Sequence, residues 1–326
     1  MRCAGEAKSD RKGDESMKIV IVGAGAMGCL FAALLRRAGL EPLLLEKSPS
    51  TVAAIGCGGL VLEDLTGTHA VDRIAITGDA AGIGPADYVV FFVKAFDTAS
   101  AAGFAAACIG PATVVVTLQN GIGNADVLSE RFPGSNVLAG ITAHGATLLG
   151  PGHVRHAGCG ETAFGPLHPS GRRSAEVLCD VFNASGIAAR IDDDVHALLW
   201  GKLCVNIGIN ALAAILDISN GRILEMDPVR DIMRNAVREA VAVAVAQGLE
   251  FDADEQVARV EQVCRATQSN ICSMLQDVRA GRMTEIEYIN GAVVRAGRSL
   301  HCPVPVNAML ADLVRARQML AAGKSA

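Results

Sequence analysis

The stretch KIVIVGAGAMGCLFAALLRRAGL, residues 18–40, decides the fold. Four β-branched apolar residues, Ile19 to Val22, read as a buried strand. The strand runs straight into Gly23, Ala24, Gly25, Ala26, Met27 and Gly28, and then into an apolar helix that ends on Arg36 and Arg37 before Gly39. This is G-x-G-x-x-G between a strand and a helix, the setting in which the pattern carries meaning. Gly23 permits the tight turn, Gly25 lets a pyrophosphate approach the backbone, and Gly28 lets helix and strand pack closely. The helix N-terminus supplies partial positive charge.

Outward from this loop, short apolar runs alternate with Ala-rich amphipathic stretches as far as Arg190, the pattern of an α/β sheet. Strands are expected at Lys18–Val22, Leu40–Leu45, Tyr88–Val93 and Val114–Leu118. Between Gly140 and Pro166, Gly- and Thr-rich runs read as antiparallel strands at the far side of the sheet. After Asp192 strand signals stop, and helical periodicity covers Val229–Gln247, Glu255–Ala280 and Glu285–Leu300. The expected fold class is therefore α/β: a Rossmann-type dinucleotide-binding domain over 17–190, followed by an all-helical domain over 191–326. Residues 1–16 are polar and of mixed charge, and read as a disordered or mis-assigned extension without signal-peptide character.

The 326 residues are 51% hydrophobic and 19% charged, with mean hydropathy +0.34, which excludes wholesale disorder. A net charge of -5 and 4% aromatic residues offer neither a basic field nor stacking platforms for nucleic acid. Ten cysteines without a C-x-x-C pair point to reduced thiols in a cytoplasmic protein. Nothing reads as a metal site. The run Ala197–Ile218 has the length of a membrane span, but Lys202, Asn206, Asn210 and Asp217 interrupt it. A buried core helix with a polar stripe is expected there, and no membrane partner.

That stripe is the first candidate site. Lys202, Asn206 and Asn210 recur every four residues, within an arc of roughly 80° on a helix. An ammonium and two amides on an apolar segment need polar company, either loop carbonyls in a structural network or a substrate with a carbonyl or carboxylate. Ser269, Ser273 and Asp277 would share another helical face. Thr284 to Glu287 has capping-box form, with Thr284 as N-cap and Glu287 reaching back, which leaves Glu285 on the first turn. Lys94 and Asn120 follow strands at their carboxyl ends, where open α/β sheets place ligands, though either alone is equally a surface lysine or an Asn-Gly turn. Glu46 stands eighteen residues beyond Gly28, near where an acid grips a ribose hydroxyl, and Lys47 follows it. The pair does not decide between NAD and NADP.

Taken in order, GAGAMG, VKAFD around Lys94, QNGIG around Asn120, WGKLCVNIGIN, the SNG at Ser219–Gly221 and NICSMLQDVRAGRMTEIEYING resemble the 2-dehydropantoate 2-reductase (ketopantoate reductase) family. The resemblance runs from Lys18 to about Arg315. It implies that Gly23–Gly28, Lys94, Asn120, Ala146 and Glu285 border the cofactor. It also implies that Asn206, Asn210, Asn220, Asn270 and Ser273 bind substrate and that Lys202 donates the proton. Ala211 and Gly201 depart from residues common in the family, Pro and Arg, without removing a chemical group that the reaction needs. The implied activity is NAD(P)H-dependent reduction of a small 2-oxo acid, 2-dehydropantoate to (R)-pantoate, by a monomer or homodimer. NADPH is favoured, with Lys47 beside its phosphate and Glu46 turned outward, and NAD remains open. The rivals are an NAD-dependent D-2-hydroxyacid dehydrogenase on the same scaffold and a non-enzymatic dinucleotide sensor, which would not need Lys202, its amides and Glu285 together.

Overall fold

The computed structural model describes residues 17–134 and 136–322, so the expectation for residues 1–16 lies outside the described residues. The chain opens with β1 (Ile19–Val22), α1 (Ala26–Arg37), β2 (Leu43–Leu45), α2 (Pro49–Gly58), β3 (Leu60–Asp64), β4 (Gly67–Val71), β5 (Ala75–Thr77) and β6 (Tyr88–Phe91). It continues with α3 (Thr98–Phe104), β7 (Val114–Thr117), α4 (Asn124–Arg131), β8 (Asn136–Thr142), β9 (Gly145–Gly150), β10 (His153–Gly158), β11 (Thr162–Pro166), α5 (Arg172–Ala184) and β12 (Ala189–Ile191). Eight strands form one sheet in the order β12-β11-β8-β7-β6-β1-β2-β5. Its pairs are parallel except β8 with β11. Because β1 is central, both its faces are buried: Ile19 and Ile21 enter the core shared with α1 and α5, and Val20 and Val22 the core on the opposite face.

The remainder of the described chain is helical: α6 (Val195–Leu216), α7 (Arg222–Glu225), α8 (Asp227–Ala246), α9 (Ala253–Ala266), α10 (Ser273–Arg279), α11 (Asn290–Ser299) and α12 (Pro305–Ala322). Asp194 caps α6 by accepting from the Ala197 amide at 2.9 Å, and Asp217 ends it in a left-handed conformation, φ 57°. Helix α6 is long and apolar enough to cross a membrane, yet it is mostly buried as the axis of the helical half. Gly208 explains the tight fit: a Cβ there would come within 2.6 Å of Val260 and 3.1 Å of Val237, on α9 and α8.

Several expectations are corrected. The expected strands all form, each shorter at one end or both. Strands β3, β4, β9 and β10 build a second sheet, ordered β4-β3-β10-β9, so the antiparallel runs after Gly140 divide between two sheets. The helical stretch expected over Glu255–Ala280 breaks between α9 and α10, which leaves Ser269 in the connecting loop rather than on a face with Ser273 and Asp277. The capping box forms only in part. Thr284 Oγ1 accepts from Ile286 N at 3.3 Å, but Glu287 does not reach back, because Arg315 holds it at 2.6 and 2.9 Å.

Candidate active site

The cleft begins at the glycine loop, and the three glycines have different reasons to be glycine. Gly23 has φ 100°, and a Cβ on it would come within 2.8 Å of Val93. At Gly28 a Cβ would lie 1.9 Å from the carbonyl oxygen of Gly23, so only glycine lets α1 leave the loop at this angle. At Gly25 a Cβ would meet nothing within 4 Å. That open face lies beside the first turn of α1, whose amides have no partner within the helix, and it fits a pyrophosphate. Ala24, between them, donates its amide to Glu46 Oε2 at 2.8 Å. Glu46 Oε1 takes the Ser48 amide, also at 2.8 Å, while Lys47 swings out to pair with Asp97 at 3.0 Å. The expected arrangement is therefore reversed: Glu46 faces the glycine loop and Lys47 faces solvent, because the backbone amides at both ends of the turn draw the carboxylate inward.

The loops after β6 and β7 are bound to each other by a buried amide and hydroxyl network. Gln119 donates to Val93 O at 2.8 Å and to Thr98 Oγ1 at 2.9 Å, Thr98 donates to Asn124 Oδ1, and Asn124 donates to Asn120 O. Such a network, with its members satisfied, holds two loops rigidly. The helical half meets these loops at three points. Ala95 N donates to Glu285 Oε1 at 3.0 Å, Ile122 N donates to Tyr288 O at 3.1 Å, and Lys94 Nζ donates to Asp277 Oδ2 at 2.6 Å. Gly121, φ 85°, is required here, since a Cβ would fall 2.5 Å from Tyr288 O. Lys94 also lies 3.7 Å from Glu285. Burial works against its charge, but Glu285 and Asp277 outweigh that and raise its pKa.

On α6, Lys202 donates to Thr142 O, at the end of β8, at 2.8 Å. Burial pulls its pKa down to about 8, against the upward pull of Glu285. Asn210 is buried, and Asn206 Nδ2 and Asn220 Oδ1 are buried without a hydrogen-bond partner. Asn220 is placed by its own Nδ2, which donates to Thr267 Oγ1, and by its backbone N–H, which donates to Asn270 O. Buried polar atoms are rarely left unpaired, and these two, among seven such atoms in the described residues, are ones a polar ligand could satisfy.

The structure thus joins Lys94 and Glu285, with Lys202 within electrostatic reach of Glu285, and puts Asn206 and Asn210 on the α6 stripe with Lys202. Asn270 and Ser273 are exposed, in the α9–α10 loop and at the first residue of α10. Ala146 lies on β9 of the small sheet, opposite His156, packed against the core that contains α1. Sequence reasoning missed two partners. Thr142 acts through its carbonyl, which no side-chain pattern reports. Asp277 was noticeable only as a polar residue one turn beyond Ser273. Among the described residues no group of three His, Cys, Asp or Glu side chains forms a metal site.

Comparison with known proteins gives a consistent picture. Residues 19–169 match the family described as ketopantoate reductase PanE/ApbA, and residues 194–318 match its C-terminal counterpart. A 2-dehydropantoate 2-reductase of Halobacterium salinarum is 38% identical over 303 residues, covering 93% of this chain and 99% of the relative. The crystal structure of a PanE/ApbA family ketopantoate reductase from Ralstonia eutropha superposes with TM-score 0.85 at 35% identity, over 94% of this chain and 99% of that one. A D-mandelate dehydrogenase in ternary complex with NADH and anilino(oxo)acetate superposes with TM-score 0.89 at 30% identity, over the same shares of both chains.

Proposed function

This chain belongs to the ketopantoate reductase family, and from that premise we propose that it reduces 2-dehydropantoate to (R)-pantoate, in pantothenate synthesis, with a nicotinamide dinucleotide. The observation that carries the reading is Lys202, a lysine on an apolar helix whose pKa of about 8 leaves it charged at neutral pH yet ready to release a proton. When bound, the reduced dinucleotide supplies hydride to the ketone carbon. The first turn of α1 and the open face at Gly25 hold the pyrophosphate, and Lys94, Asn120, Ala146 and Glu285 border the rest. An ammonium has three donors, and Thr142 O takes one from Lys202, so the others are free to bind the ketone oxygen. As that oxygen gains charge, Lys202 stabilises it and then transfers the proton, becoming a neutral amine that solvent reprotonates. Asn206, Asn210, Asn220, Asn270 and Ser273 orient the carboxylate and hydroxyl of the oxo acid.

Two features bear on which dinucleotide is used. Glu46 lies against the glycine loop, where a ribose 2′-hydroxyl would be welcome and a 2′-phosphate repelled, and Lys47 is drawn off to Asp97. Both favour NADH over the NADPH that the family resemblance implies. The same features, with the likeness to an NADH-bound D-mandelate dehydrogenase, support a second reading, a D-2-hydroxyacid dehydrogenase for bulkier oxo acids. Initial rates with 2-dehydropantoate, branched and aromatic 2-oxo acids, each with NADH and NADPH, separate the two. The highest kcat/KM on 2-dehydropantoate is expected, and a preference for aromatic oxo acids selects the second reading. We assign residues 17–190 to the dinucleotide and 191–326 to the substrate, in a cytoplasmic protein.

A further inference from the structure

Asp277 is a buried carboxylate to which the reaction above gives no task. It sits on α10 about one turn beyond Ser273, with its side chain 5% exposed. A carboxylate this deep is costly unless it is paired, and both its oxygens are engaged. Oδ2 accepts from Lys94 Nζ at 2.6 Å, reaching across from the helical half to the loop after β6. Oδ1 accepts from Arg282 Nε at 3.0 Å within the helical half. The other carboxylate near Lys94 is Glu285, farther off at 3.7 Å and already holding the Ala95 amide. The short contact of the lysine is therefore with Asp277. This contact joins a side chain at the dinucleotide side of the cleft to the helix that begins at Ser273.

We propose that Asp277 is a positioning residue, which fixes the Lys94 ammonium at the cofactor wall of the cleft and ties it to the start of α10. The proposal rests on the reading of Lys94 as a dinucleotide contact. Without the carboxylate, Glu285 becomes the counter-ion of Lys94, and the ammonium follows it toward the base of the loop and away from the wall. Arg282 shares Asp277 but lies outside the cleft contact, so a purely structural role for Asp277 predicts that breaking the Arg282 half does the same harm.

The test is fluorescence titration of NADH into the full-length protein, beside steady-state rates and thermal melting, for wild type, Asp277→Asn, Arg282→Gln, Lys94→Met and the Asp277→Asn/Lys94→Met double variant. Asp277→Asn is expected to raise the NADH Kd about tenfold, the scale of one lost charge-assisted contact. Arg282→Gln should leave it within about twofold, and in the Lys94→Met background Asp277→Asn should add nothing. An unchanged Kd in Asp277→Asn overturns the proposal, as does an equal loss in Arg282→Gln or an additive loss in the double variant. If Asp277→Asn melts too low to assay, Asp277→Glu takes its place: weaker NADH binding that vanishes in the Lys94→Met background supports the role, and undiminished binding refutes it. A wild-type protein that binds neither NADH nor NADPH removes the premise itself, whereas normal wild-type binding with an indifferent Asp277→Asn overturns the proposal alone.

Discussion

If Lys202 is the proton donor, its depressed pKa fixes the pH dependence of reduction. With a pKa of about 8, roughly nine-tenths of the lysine is protonated at pH 7 and about one-tenth at pH 9. The kcat/KM for reduction should therefore fall about tenfold between those values, while an ordinary lysine near 10.4 would leave it almost flat. The oxidation of pantoate should run the other way, rising as the amine loses its proton. Glu285 supplies the opposing upward pull, so Glu285→Gln should move the alkaline limb to lower pH, and Lys202→Ala should lower turnover by at least about 10²-fold. The assay is kcat/KM for the oxo acid, and for pantoate in the reverse direction, against pH, with dinucleotide binding measured at each pH to confirm saturation. Constant kcat/KM to pH 9.5 would refute the assignment, as would an alkaline limb that Glu285→Gln leaves in place. The same shift carries a stability consequence. Because the folded pKa lies below the unfolded one, the unfolded chain binds the proton more tightly between about pH 8 and 10.5, and the cost to the fold is fully present below pH 8. Lys202→Met should thus raise Tm at pH 7 while abolishing reduction, the exchange of stability for activity seen when a functional charge is removed from an apolar site.

Three other outcomes follow from the geometry. A Cβ at Gly25 meets nothing within 4 Å, so Gly25→Ala should melt like the wild type, yet lose dinucleotide affinity by blocking the pyrophosphate, whereas Gly28→Ala, whose Cβ would lie 1.9 Å from a carbonyl oxygen, should lose both; melting curves and NADH titrations distinguish them. Glu46→Ala should raise the NADPH to NADH ratio of kcat/KM and Lys47→Ala should barely alter it, since Lys47 is held by Asp97; the reverse result would restore the phosphate to Lys47. Asn206→Leu should raise substrate KM by the equivalent of about 1 to 3 kcal/mol without lowering Tm, because its Nδ2 makes no bond that the fold would miss; a Tm loss without a KM change would make it structural.

The strands and the glycine loop were legible because period, glycine spacing and the strand-to-helix switch are local properties of the chain. Ile19 to Val22 could hardly be anything but a central strand once Gly23 followed. The small sheet was not legible. Strands β3 and β4 are short, the apolar run Leu60–Leu62 giving way at once to Glu63 and Asp64 and β4 opening on Gly67, Thr68 and His69, and β3 pairs with β10 some ninety residues on, Val61 beside His153. The break between α9 and α10 was hidden because Thr267 to Ile271 contains neither glycine nor proline. The chain leaves the helix there through tertiary contacts: Gly221 and Asn220 donate their amides to Gln268 O and Asn270 O. Those are the bonds that aim Asn220 at the cleft, so the irregularity that sequence periodicity overlooked builds part of the candidate site.

The inward turn of Glu46 shows where local reading stops being sufficient. Strand alternation would make Glu46 and Lys47 point oppositely if the strand ran through them, but β2 ends at Leu45, and alternation does not say which one faces the loop. Two backbone amides settle that: Ala24 N on the glycine turn and Ser48 N ahead of α2 both point donors at one place. An ammonium at that place would meet two donors and no acceptor, whereas a carboxylate satisfies both. If the glycine turn receives the pyrophosphate as proposed, it also selects the charge beside the adenosine ribose, and the dinucleotide preference would follow from the loop backbone as much as from the residue at the strand end.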